Sequence, residues 1–158
     1  MIRSIGQNDV WDAVLLMKQS TEEHNYPTLR TEYVESVWLS YLCSLIERQY
    51  KKDPNVLVLG YYDNTLKGYL AAEAYTCSYN NKPVMDVKDC IVKKNYKYNG
   101  KVVHELFTHM INHTKEHGGK HWRADSIQAY DDALRYGKFL KKRFNGDLYV
   151  SVRGKIGD

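Results

Sequence analysis

VMDVKDCIVKKNYKYNGKVVHELFTHMINHTKEH, residues 84–117, changes its hydrophobic period once and so reads as a strand, a turn and a helix. Val84 to Val92 is an apolar run broken by Asp86, Lys88 and Asp89, as in a strand. The polar turn after it is centred on Gly100. Beyond it Val102, Val103, Leu106, Phe107, Met110 and Ile111 recur at the helical period until Gly118-Gly119 closes the helix. A helix that leaves a strand through a glycine-containing turn can bind an anion, because its first backbone N–H groups lack intrahelical acceptors. Here the turn is Tyr96-Lys97-Tyr98-Asn99-Gly100-Lys101-Val102. Gly100 lets a ligand come close to the backbone, and Lys97 and Lys101 add positive charge.

Upstream, Ile2 to Ile5 alternates as a short strand, and Asn8 or Asp9 caps a helix carrying Val10, Val14 and Met17. Glu22 to Leu29 reads as a loop, after which Thr28 or Thr31 starts a second helix with the stripe Val34, Val37, Trp38, Tyr41, Leu42, Leu45 and Ile46. The charged Glu47 to Asp53 and then Pro54 end that helix. Val56 to Tyr62, a turn at Asp63-Asn64 and Leu66 to Tyr75 form a hairpin, and a break at Asn80 to Pro83 leads into the strand from Val84. Downstream come a strand at His121 to Ile127, a helix from Asp131 to Lys142 and a final strand at Leu148 to Val152. The expected fold is therefore α/β (α+β): one domain over residues 1–158, a mixed and mostly antiparallel sheet flanked by helices in the order β-α-α-β-β-β-α-β-α-β.

Composition agrees with a globular domain. The 158 residues suffice for one core, and 43% hydrophobic with 27% charged residues lies far from the composition of disordered chains. Three cysteines, Cys43, Cys77 and Cys90, make no C-x-x-C pair, so buried reduced thiols in a cytoplasmic protein are expected. No apolar stretch is long enough for a signal peptide or a membrane span. The net charge of +4 is modest, and the short basic runs Lys51-Lys52, Lys93-Lys94 and Lys138 to Arg143 read as solvated faces, which also suit a phosphate-bearing cofactor. Nucleic-acid binding through Lys138 to Arg143 is the weakest of the readings.

The order of elements, with the turn at Gly100, resembles the GCN5-related N-acetyltransferase (GNAT) family over essentially the whole chain. The family's Q/R-x-x-G-x-G/A motif, whose amides hold the pyrophosphate of acetyl-CoA, corresponds to Lys97, Tyr98, Asn99, Gly100, Lys101 and Val102. Lys97 keeps a cation, Gly100 is retained, and Val102 replaces a small residue with a branched one that is expected to crowd the pyrophosphate. The resemblance also implies that Ile91 and Val92 offer backbone groups to the pantetheine arm, where the fourth and fifth strands splay apart. It implies Asp86 as the base that deprotonates a primary amine, with Asp89 on the opposite face of the strand.

The family's acid tyrosine position falls on Phe139 or Leu140, neither of which carries a proton to give, so Tyr136 or Tyr130 is the substitute; the familiar asparagine becomes Asp132 or Ala133. The activity this resemblance implies is that of an acetyl-CoA-dependent N-acetyltransferase whose acceptor contacts lie in Thr21 to Thr31 and Tyr75 to Pro83. Some tailed-phage proteins are similar, shortened members, some of them virion components. That likeness implies the alternative of an inactive binding module with protein partners or a place in a virion, in host cytoplasm or particle. His109, His113 and His117 lie four apart on one helix, but without the glutamate of H-E-x-x-H they read as a polar face, and no metal is expected.

Overall fold

A computed structural model describes residues 1–23, 34–125 and 130–148. Its elements are β1 (Ile2–Ser4), a 3₁₀ turn at Gln7–Asp9, α1 (Val10–Glu23), α2 (Glu35–Tyr50), β2 (Val56–Asp63), β3 (Thr65–Thr76), β4 (Pro83–Val92), α3 (Asn99–Glu116), β5 (His121–Ala124) and α4 (Tyr130–Phe144). The order is the expected one as far as residue 148. The final strand expected at 148–152 begins at Leu148, which lies in no strand, and the rest of it falls outside the described residues. The expected starts of α2 at Thr28 or Thr31 also lie outside them; the helix begins at Glu35. No helix among the described residues is long and apolar enough to cross a membrane.

One sheet runs β1-β2-β3-β4-β5, antiparallel throughout except for the parallel pair β4 and β5. Both faces are covered, which explains why β2 is apolar at almost every position instead of alternating. Val56, Val58, Tyr69, Ala71 and Ile91 meet α1 and α2, whereas Leu57, Leu59, Leu70, Ala72, Met85 and Val87 meet α3 and α4. The apolar stripe of α2 covers the sheet only from its middle onward. Leu42, Leu45 and Ile46 are buried, but Val34 and Val37 stay more than half exposed because they belong to the end of the helix that carries no core residue. Cys43 is likewise exposed, not buried as expected, since it faces away from Leu42 and Leu45.

The outer edge of the sheet is closed by a side chain. β1 covers β2 only from Leu59 to Tyr61, so Val58 lies beyond the strand pairing. There the Ile5 amide donates to the Val58 carbonyl, and the Gln49 carboxamide accepts from the Val58 amide at 2.7 Å. An edge strand's main-chain groups are thereby satisfied.

Two packing details position the site. Register slips between Ala71 and Ala72 of β3, so Lys88 is an extra residue in β4. Gly68 of β3 stands opposite Val92 and against α3: a Cβ there would lie 2.8 Å from Val102 Cγ1 and 2.9 Å from the Ile91 carbonyl oxygen. Because backbone as well as side chain would have to yield, Gly68→Ala is expected to cost about 1–3 kcal/mol. Val102→Ala in the same chain should restore part of it, which a comparison of denaturation midpoints for the single and double variants would measure.

Candidate active site

α3 opens without a side-chain cap. Its first turn closes when the Val102 amide donates to the Tyr98 carbonyl at 3.0 Å, and the Asn99 amide donates to Tyr96 at 3.2 Å. The amides of Gly100 and Lys101 have no acceptor among the described residues, as the start of a helix requires. Gly100 borders open space: the nearest atom to a Cβ built on it is a Phe139 ring carbon at 3.9 Å. The Lys97 ammonium lies 4.6 Å from the centre of the Tyr98 ring, and Lys101 lies 3.6 Å from Glu105 one turn on. Tyr98 meets Tyr96 edge to face, and the Tyr96 hydroxyl donates to Asp63, tying this turn to the one between β2 and β3.

Val102 does not crowd this opening. Its side chain is fully buried, turned toward β3 into the space left by Gly68. The expected obstruction is absent because the room that a small helix residue would leave is supplied from the strand. Ile91 is buried in the layer under α1 and α2, and Val92 is half-buried in the layer under α3.

β5 accompanies β4 only from Val84 to Val87. From Lys88 to Val92 the β5 side of β4 has no strand partner among the described residues, and this free edge ends at the turn into α3. Each face of that edge carries a proton-bearing pair. On the α3 and α4 side, the Tyr136 phenol interacts with the Cys90 thiol and meets Phe107 edge to face at 6.3 Å. Burial holds the Tyr136 proton far more tightly than in a free phenol, with Cys90 adding to the effect, so the hydroxyl is a donor throughout the working pH range. Burial also pushes the Cys90 thiol up to about 12, helped by nearby Asp89, which keeps it protonated.

On the α1 and α2 side the Tyr69 hydroxyl donates to Asp89 Oδ2 at 2.5 Å. Burial raises the Asp89 carboxyl to about 7, although Tyr69 and the Cys90 amide both favour its ionised form.

The slip at Lys88 overturns one sequence expectation. In an unbroken strand residues 86 and 89 point to opposite faces, but here Asp86 stands opposite Glu73 and Asp89 opposite Ala71, both on the face toward α1 and α2. Asp86 is ion-paired with Lys88 at 2.6 Å. Glu73 is held by Arg48 of α2 and accepts from the Tyr41 hydroxyl, and Arg48 also reaches Asp53. The pair Tyr69 and Asp89 is not visible in sequence, as its members are 20 residues apart and Tyr69 reads as one more apolar strand position.

Of the other candidates, Phe139 lies beside Gly100 and Leu140 is buried in the core, while nothing is described of the Tyr130 side chain. The imidazoles of His109, His113 and His117 each meet a backbone carbonyl, those of Glu105, Pro54 and His113 respectively. No group of three or more metal-ligating side chains is assembled among the described residues.

No protein-family model and no curated protein matches the sequence. Solved structures do match in shape. A Bacillus halodurans protein, solved as a tetramutant, superposes with a TM-score of 0.76 at 14% identity, over 99% of each chain. The aminoglycoside 6′-N-acetyltransferase of Acinetobacter haemolyticus gives 0.68 at 16%, over 100% of this chain and 99% of its own. The ribosomal-protein-alanine N-acetyltransferase of Brucella melitensis gives 0.62 at 13%, over 98% and 99%. At these identities the likeness is one of fold: a mixed, mostly antiparallel five-stranded sheet flanked by helices, of the GNAT-like kind seen in acetyltransferase structures.

Proposed function

We propose that this protein is an acetyl-CoA-dependent N-acetyltransferase acting on a primary amine of an unidentified acceptor. The observation that carries this reading is the free edge of β4 from Lys88 to Val92, followed after one turn by the open amides of Gly100 and Lys101. Those amides and the Lys97 ammonium suit the diphosphate of coenzyme A, and the inward turn of Val102 leaves that position clear. The backbone of Ile91 and Val92 lines the path between the diphosphate and the reacting carbon.

Asp89, rather than Asp86, serves as base. It is the group whose proton affinity lies near neutrality, where a base is most effective, while Asp86 is committed to Lys88. Asp89 takes one proton from the acceptor ammonium. The amine nitrogen then bonds to the acetyl carbon as the carbon–sulfur bond breaks, and the second proton lost by nitrogen balances the departing CoA thiolate. Tyr136 takes the donor role that Phe139 cannot fill, its hydroxyl hydrogen turning from the Cys90 thiol to that sulfur. Named acetyltransferases of the same fold act on aminoglycosides and on a ribosomal-protein alanine, which supports an amine acceptor without selecting one.

Titration calorimetry with acetyl-CoA tests the reading. Saturable binding is expected, weakened about tenfold or more by Gly100→Trp, whose side chain enters the open space beside the free amides. Absence of any binding by the wild-type chain would leave only the non-catalytic alternative.

A further inference from the structure

We infer that Tyr69 is a positioning residue, whose hydroxyl fixes the Asp89 carboxylate at the free edge of β4 and sets the pH at which it accepts a proton. This rests on the transferase reading and assigns a role to a residue that touches neither acetyl-CoA nor acceptor.

Tyr69 is 0% exposed, and its ring is fixed in the layer formed by Val14, Val58, Ala71 and Ile91. Its hydroxyl ends at Asp89 Oδ2, and Tyr69 lies two residues along β3 from Ala71, the residue opposite Asp89. That bond exists only because the extra residue Lys88 brings Asp89 to this face. With a rigid aromatic stem and a charge-assisted hydrogen bond, Tyr69 holds the carboxylate from across the strand, and the Cys90 amide holds it from its own.

Burial acts most strongly on Asp89, and the Tyr69 hydrogen bond is the strongest influence against it, ahead of the Cys90 amide. On the same strand Asp86 is neutralised by Lys88, and across β3 Glu73 is neutralised by Arg48 of α2, with Tyr41 donating to it. α1 presents Ala13, Val14, Leu16 and Met17 to this layer, none of which titrates. From the other face Cys90 and Tyr136 remain protonated. Asp89 has no cation within ion-pairing distance among the described residues. Donation by Tyr69 favours the carboxylate over the acid, so its removal must make Asp89 hold its proton to higher pH.

Carbon NMR of protein labelled at aspartate Cγ and tyrosine Cζ gives the test, with Asp89→Asn assigning the Asp89 signal. In the wild type, Asp89 should titrate near pH 7, and the Tyr69 Cζ signal should shift with the same midpoint. In Tyr69→Phe the Asp89 midpoint should rise by about one pH unit, roughly a tenfold change in proton affinity. An Asp89 midpoint near that of an ordinary carboxylate, a Tyr69 signal that ignores it, or an unchanged midpoint in Tyr69→Phe would each overturn the inference. The wild-type signals answer even where the variant folds poorly. Calorimetry with acetyl-CoA is scored separately: binding without the coupling removes Tyr69 alone, and coupling without binding removes the transferase reading and with it the catalytic meaning of the pair.

Discussion

Asp89→Asn is expected to lower kcat/KM for acetyl transfer by about 10²–10⁴-fold and, at pH 8, to make the protein more stable. The two effects share one cause. Burial raises the folded carboxyl to about 7 from an ordinary value of 3.8, so folding favours its protonated form. The stability contributed by that proton is complete below the unfolded value and is lost as pH rises through about 7. Above that pH the folded chain holds a half-buried charge with no cation at ion-pairing distance among the described residues. Asparagine never ionises and avoids the loss, for a gain of about 3 kcal/mol at pH 8 once the full conversion of about 4 kcal/mol is reduced for the partial exposure of this carboxylate. Melting temperatures should therefore separate at pH 8, by roughly 6–12 °C in a domain of this size, and converge below about pH 4. Equal stability at both pH values would show that Asp89 is an ordinary surface carboxylate. Activity retained in the variant would remove it as the base.

Phe107→Ala is expected to cost about 3–5 kcal/mol, among the largest single losses available in this chain. Phe107 is fully buried where α3, α4 and β5 meet. Its ring is edge to face with Trp122 at 5.7 Å and Tyr136 at 6.3 Å, and stacked on Phe144 at 5.6 Å. This ring joins α3 to α4, beside the stack of His104 on Phe144. A void there also frees Tyr136, so activity should fall further than the folded fraction alone accounts for. Phe107→Leu, which fills most of the space, should cost about half as much or less. Chemical denaturation read beside single-turnover acetyl transfer would separate the two losses.

Sequence order makes the architecture legible because most elements announce themselves locally. α3 shows an unbroken apolar stripe, and the hairpin turn at Asp63-Asn64 places Asn64 at φ 60°, as its composition suggests. The features that stay hidden depend on neighbours distant in the chain. Val34 and Val37 continue the stripe of α2, yet nothing local says that the core begins further along the helix. The family resemblance points to Asp86 as base and strand alternation sets Asp89 on the opposite face, whereas a register slip is a property of two strands, invisible in either one. Tyr136 can be placed on α4 by period alone; that it meets Cys90 depends on how α4 lies over β4.

Val102 of the helix occupies the room that a side chain on Gly68 of the strand would need, so the sizes of the two positions are tied. Any recognition scheme that scores one column at a time records Val102 as a lost feature, though its side chain is turned away from the helix start and into the strand. Searches for remote kin of this chain would gain by scoring the strand and helix positions together, admitting large-small and small-large combinations as equivalents.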